Sequence, residues 1–170
     1  RVKPDAGMEA DGTTAAAITG DCTNLVKTVE LEIGGQKIDK HYTEWLNVYN
    51  DLYVSGEQHA YRKQLASGDG QELVLPLRFW FCCNPGLALP LIALQYHEVK
   101  INLEFNPSWG TSAGTPVHAF SDSSLLVNYV YLDTDERRRF AQVSHEYLIE
   151  QVQHTGSEAL TQGQTTKVRL

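Results

Sequence analysis

The chain has 170 residues, 42% hydrophobic and 21% charged, with 14 lysines and arginines against 21 aspartates and glutamates for a net charge of −7. That length suits one domain able to bury roughly 70% of its unfolded surface, and the acidic balance speaks against direct, sequence-specific nucleic-acid binding, which rests on lysine and arginine. No window reaches the roughly 20 uninterrupted apolar residues of a membrane span; residues 86–94 are too short and contain Pro90.

Residues 1–24 are small, polar and aperiodic, a leader or loop without the charged-then-apolar pattern of a secretion signal. The opening on Arg1 and the unfinished alternation of residues 166–170 are those of a piece of a longer polypeptide, so residues 25–170 are expected to form one partial domain. Residues 29–52 (VELEIGGQKIDKHYTEWLNVYNDL) change hydrophobic period. Val29, Leu31 and Ile33 alternate with Glu30 and Glu32, as in a strand with one dry face. Gly34 and Gly35 supply the positive backbone angles of a tight hairpin turn, and residues 36–38 resume the strand. From Asp39 the spacing becomes helical, with Asp39 as cap and Tyr42, Trp45, Leu46, Tyr49 and Leu52 on one stripe. Residues 55–71, including Gly68-Asp69-Gly70, are expected to form a long loop anchored by Tyr61.

Residues 72–81 predict a strand whose apolar face is Leu73, Leu75, Leu77, Phe79 and Phe81; Pro76 confines it to an edge or bulge. Asn84-Pro85-Gly86 is a turn, Pro90 starts one helical turn to Leu94, and residues 99–105 alternate as a strand. Residues 106–116 form a loop with Trp109 as its aromatic pin and as a candidate contact, because loops carry recognition. Residues 125–132, apolar on both faces except Asn128, predict a strand between two layers. Asp133 then caps a helix with an acidic start, and residues 147–153 are a further strand. About seven strands, two short helices and long loops favour a sandwich or jelly roll.

Little of this carries chemistry. Cys22, Cys82 and Cys83 form neither a disulfide framework nor a zinc set, and are expected as free, buried thiols in a reducing compartment. No acceptor sequon for N-linked sugar occurs, Asn106 being followed by Pro107. His97-Glu98 and His145-Glu146 point to opposite faces of a strand, and the His-X-His word of a cupin-type metal site is missing, so no metal, cofactor or catalytic residue is assigned. Arg137-Arg138-Arg139 is the densest basic word and is expected as a solvated helix face. Tyr42, Trp45 and Tyr49 suit either a sugar-stacking platform or, more simply, a helix face docked on its own domain.

Three blocks together resemble one family. IGGQKIDKHYTEWLNVYNDL (residues 33–52), LPLRFWFCCNPGLALPLIALQYHEVKINLEF (75–105) and YVYLDTDERRRFAQVSHEYLIEQVQ (129–153) are similar to the major capsid proteins of nucleocytoplasmic large DNA viruses, especially the algal-virus and giant-virus branch. The resemblance implies an all-β fold: part of the first barrel of a double jelly roll, with short helices in its loops. It implies a structural, non-enzymatic role in an icosahedral shell, through homotrimers of pseudo-hexagonal outline that contact neighbouring capsomers and minor capsid proteins and sometimes host glycans. Its place would be the virion, assembled in host cytoplasm. The residues singled out as architectural are Gly34, Gly35, Asp39, Lys40, His41, Trp45, Pro85, Gly86 and Pro90. A glycan-binding sandwich and, behind it, a cupin-like metalloenzyme are the alternatives.

Overall fold

The computed structural model describes residues 2–4, 22–66, 74–106, 111–112, 115–116 and 120–157, with isolated positions beyond. In chain order the strands are β1 (Val2–Pro4), β2 (Val26–Ile33), β3 (Gln36–Tyr42), β4 (Val99–Phe105), β5 (Thr111–Ser112), β6 (Thr115–Pro116) and β7 (Phe120–Ser123). The helices are α1 (Thr43–Tyr53), α2 (Gly56–Ala66), α3 (Trp80–Cys83) and α4 (Thr134–Gln142), with 3-10 turns at Cys22–Leu25 and Pro85–Leu87.

An antiparallel sheet in the order β3-β2-β4 organises the core. The alternation in β2 has its expected consequence. Val29 and Leu31 are fully buried and, with Leu25, Val26, Phe79 and Trp80, form a cluster against which Ile33, Leu75, Leu77, Val99, Ile101 and Ile149 pack. On the other face of the sheet Glu30 pairs with Lys40 of β3 and Asn102 of β4, and Glu32 with Lys37 and Lys100. Lys37 Nζ lies 3.0 Å from Glu30 Oε2, and Lys27 Nζ 2.7 Å from Glu104 Oε1. The hydrogen bond from Lys37 holds the Glu30 carboxyl below its ordinary pKa against the opposing effect of burial.

The hairpin turn forms as the sequence demands: Gly34 and Gly35 have φ of 60° and 81°. A bulge follows, since Leu31 pairs with Asp39 but Glu32 with Lys37, so Ile38 is the additional residue. Two two-stranded pairs, β1 with β7 and β5 with β6, complete the described ladders. Val2–Pro4 thus brings strand structure to a segment expected to be loop.

Several expectations need correcting. Asp39 is not a helix cap: β3 continues to Tyr42 and α1 starts at Thr43, with no side-chain cap at Tyr42. Residues 39–42 alternate as the strand before them does, but with Asp39 and His41 as the buried members, so the apolar signal lapses where the strand persists. Residues 56–66 are a helix, not loop. After Gly56 the segment holds strong helix formers such as Glu57, Gln58, Ala60, Arg62 and Lys63, and being largely polar it shows no clear periodicity; Tyr61 is exposed rather than an anchor.

Residues 74–79 form no ladder among the described residues, although Leu75, Leu77, Phe79 and Phe81 do pack on the core. Alternation reports which side faces the interior; it does not supply a neighbouring strand, and Pro76 lacks a donor for one. Residues 125–131 are likewise exposed, and neither 125–132 nor 147–153 joins a ladder among the described residues. Cys82 and Cys83 are exposed free thiols rather than buried ones, because Trp80 is the residue that the short α3 turn sends inward. Desolvation nonetheless pushes the Cys82 thiol pKa up, which opposes reactivity. The first residues of the expected strand at 72–73, Gly68-Asp69-Gly70, Trp109 and most of 166–170 lie outside the described residues.

Other expectations agree with the structure. The Asn84 side chain accepts from Gly86 N at 2.8 Å, Pro90 O accepts from Ala93 N and Leu94 N, and β4 spans the strand foreseen there. Asp133 caps α4 by accepting from Glu136 N at 2.9 Å, and the arginine run is exposed on that helix.

Candidate functional site

The residues with unusual environments gather where the hairpin, α1 and two later segments meet. Asp39 and His41 stand two apart on β3, so both face the core beside Leu31 and Val29. Their side chains are 1% and 3% exposed, with His41 Nε2 3.0 Å from Asp39 Oδ2. The other carboxylate oxygen, Asp39 Oδ1, accepts from Lys40 N at 2.9 Å and from Val152 N at 3.0 Å. Burial pushes the Asp39 carboxyl upward, but the hydrogen bonds from His41, Val152 and Lys40 outweigh it and leave the pKa below its ordinary value. A buried carboxylate is stable only when its oxygens are satisfied, and here one of the satisfying groups lies 113 positions away in the chain.

Asp39 therefore clasps residues 149–154 to β3. Gln151 Nε2 donates to Ile38 O, Ile149 packs on the core, and His154 stacks on Tyr42 at 4.4 Å between ring centroids. These contacts advance together along both segments, so the later one follows β3 in the same direction and covers part of an edge strand. The His41 ring stacks on Phe79 at 4.5 Å and lies 6.5 Å from Trp45. Phe79 is fully buried and is the residue through which the 74–79 segment docks.

α1 sits across this junction. Thr43 Oγ1 donates to Val26 O at 2.6 Å, and Asn47 bonds Thr23 and Asn24 of the 3-10 turn. Leu46 and Asn50 are its buried residues; Asn50 Oδ1 accepts from Arg62 Nη1 of α2 at 3.2 Å. Trp45 and Tyr53 each contact the Tyr49 ring, and the Arg78 guanidinium lies 4.8 Å from the Tyr49 centroid. Trp45 and Tyr49 are partly covered by their own domain, which favours the docked face over a sugar platform.

Of the nine architectural residues, Asp39, His41 and Trp45 converge. Lys40 points to the opposite face, 3.9 Å from Glu30 and over the Tyr42 ring. Gly34 donates its N–H to Glu98 O at 2.9 Å, and a Cβ there would meet His97 Nδ1 at 2.6 Å. The hairpin tip is thus seated on the turn that Pro90 begins, whereas Gly35 has open space around it. Pro85 and Gly86 form a separate turn nearer α3. Sequence reasoning missed Val152 and Gln151, whose partners lie far away in the chain, and the core position of Asn50. The latter is signalled by its i+4 spacing from Leu46.

Among the described residues no cluster of three or more histidine, cysteine, aspartate or glutamate side chains suits a metal ion. The chain also spells Gly110-Thr111-Ser112-Ala113-Gly114, the letters of a nucleophile elbow, which the expectations above omit. That motif requires a strand-to-helix turn; here Ser112 pairs with Thr115 in the antiparallel β5–β6 ladder, and among the described residues the next helix is α4. What the arrangement does chemically is hold segments together.

A family profile described as the N-terminus of the major capsid protein matches residues 7–133. The chain is 53% identical to the major capsid protein of Pyramimonas orientalis virus over 86% of its own length and 39% of the relative's. It is 44% identical to the major capsid protein of Paramecium bursaria Chlorella virus 1 (84% and 36%) and 44% identical to capsid protein 1 of Acanthamoeba polyphaga mimivirus (86% and 29%). The chain thus spans about a third of the length of these relatives. A solved structure, the crystal structure of PBCV-1 VP54 fitted into a reconstruction of the virophage Sputnik, matches with a TM-score of 0.58 and 41% identity, covering 78% of this chain and 35% of that one. A quasi-atomic model of the PBCV-1 virus capsid gives the same values. With the profile covering well over half of its residues, this chain belongs to the major capsid protein family.

Proposed function

We propose that this chain is part of a structural subunit of a large DNA virus capsid, without catalytic activity, that builds an icosahedral shell. The observation that carries this reading is the similarity to viral major capsid proteins along most of the chain, in sequence and in fold together. The architecture is consistent with it: buried polar groups serve as clasps between segments.

In the finer reading, residues 25–170 are the partial first barrel of a double jelly roll and residues 1–24 its leader. Three subunits then give a capsomer of nearly hexagonal outline that meets neighbouring capsomers and minor capsid proteins, with host glycans as further partners. Two similar barrels per subunit let a trimer tile a surface quasi-hexagonally. Gly34, Gly35, Pro85, Gly86 and Pro90 shape turns in this barrel, and Asp39, His41 and Trp45 hold its hairpin to α1. The subunit resides in the virion and assembles in host cytoplasm.

The test is the mass and outline of the native protein, by light scattering after gel filtration and by negative-stain microscopy. Trimers of hexagonal outline are expected. A protein that stays monomeric at every concentration and salt condition overturns the reading.

A further inference from the structure

The apolar surface of the described residues is unfinished in two places. Residues 125–131 are exposed, and taken as a strand they divide into two rows, with Val127 and Tyr129 on one face and Leu126 and Val130 on the other. Both rows are open. The second place is β4. Val99 and Ile101 pack on the core cluster, but Leu103 and Phe105, next along the same face, are exposed. β4 is also an edge of the β3-β2-β4 sheet among the described residues. An apolar surface left open in this way marks a site of contact, and at β4 it continues the core itself.

Whatever covers 125–132 has to fit a segment that is apolar on both sides. A neighbouring folded copy lies against one side of a strand and leaves the other in water; two covered faces belong to a strand inside a domain, between layers of its own polypeptide. The rest of this chain is short of suitable side chains: residues 5–21, the longest stretch beyond the described ones, hold Met8 and Ile18 as their only large apolar residues. The relatives have more to offer. This chain spans about a third of their length, and the profile that matches it describes the N-terminus of the family, which puts most of the remaining length on the C-terminal side.

We propose that residues 125–132 form an interior strand of the longer protein, and that polypeptide following residue 170 supplies both its ladder neighbour and the apolar side chains that close over its two rows. The inference rests on the reading of this chain as part of a longer capsid subunit. Within residues 1–170 alone the rows stay uncovered, so truncating Leu126 there removes little; the burial belongs to the longer protein.

The test uses the full-length protein. Amide exchange of the unmodified protein is expected to be as slow over 125–132 as over β2. Photo-crosslinking residues placed singly at Val127 and Val130, one on each row, are expected to capture residues beyond 170. When isotopically light and heavy proteins are mixed before assembly, each product is expected to join residues of one chain and not a light chain to a heavy one.

Fast exchange over 125–132, capture confined to residues 1–170, or products joining light to heavy chains each overturn the interior strand while leaving the capsid reading intact. Monomers at every concentration and salt condition overturn the capsid reading instead, and the crosslinks then still decide the strand.

Discussion

The hairpin β2–β3 and the segment 125–132 are both rich in apolar residues, yet one is the centre of the core and most of the other is exposed among the described residues. Val29 and Leu31 are fully buried, whereas Leu125, Leu126, Val127, Tyr129, Val130 and Tyr131 are between 52% and 91% exposed. The difference lies in how many faces need a partner. β2 is dry on one face and wet on the other, so a single apolar layer under the sheet completes it while Glu30 and Glu32 pair with lysines and Asn102 across the strands. Residues 125–132 are apolar on both faces and need two layers. One-sided amphipathicity is satisfied within a short stretch of chain; two-sided apolarity calls for more polypeptide than the described residues place around it.

This contrast is sharpest for Phe79, the largest fully buried side chain. Phe79→Ala removes the ring that stacks on His41 and Phe81 and is expected to cost about 3–5 kcal/mol in urea unfolding of the protein. Leu126→Ala, at a site 75% exposed, is expected to change stability by less than about 0.5 kcal/mol. Equal losses would show that 125–132 is packed as tightly as the hairpin, and would dissolve the comparison.

Next in size is the clasp. Asp39→Ala leaves His41 buried without its carboxylate and Val152 N without its acceptor, and is expected to cost about 3 kcal/mol. Amide exchange separates this from general weakening, since the Val152 proton should exchange faster than those of β2. The pH dependence has a definite sign. The folded-state pKa of Asp39 is depressed, so its contribution is fully present above the ordinary value of 3.8 and is lost as pH falls through the lower folded value. The variant is expected to lack that part of the acid transition; an unchanged acid limb would remove Asp39 from this role.

The two turn glycines measure how firmly the hairpin is seated. Alanine at Gly35 meets only the positive backbone angle, with a loss of about 1–2 kcal/mol. Alanine at Gly34 meets the same angle and also the His97 ring, and is expected to cost more. Losses of equal size would mean that the tip does not rest on the turn at His97.

How much was legible in the sequence follows from the same distinction. Strands β2 and β4, the glycine turn and the α4 cap are written in neighbouring residues, where period and turn chemistry act locally. Helix α2 escaped because a helix polar on all sides has no period, and only propensity marks it. The end of β3 was hidden by Asp39 and His41, whose burial rests on each other and on Val152, 113 positions from Asp39. Residues 72–81 and 125–132 show the converse: their apolar patterns are real, but a ladder depends on a second strand that no local pattern encodes. The family resemblance was carried by words spread across three segments, which needed no pairing to be recognised.

The smallest expected effect lies at the far end of the comparison, in α4, which buries no residue. Its stability rests on local terms: the Asp133 side chain accepting from Glu136 N, and Asp135 and Glu136 placed in the first turn. Asp133→Ala is expected to cost about 1 kcal/mol, and in a helix without a docked face that loss goes into fraying of the first turn rather than into global unfolding. Amide exchange should therefore rise at Glu136 and Arg137 while β2 stays protected. Loss of protection in both places at once would show that α4 is coupled to the core, contrary to its exposure, and that this helix is held by more than its own cap and first-turn charges.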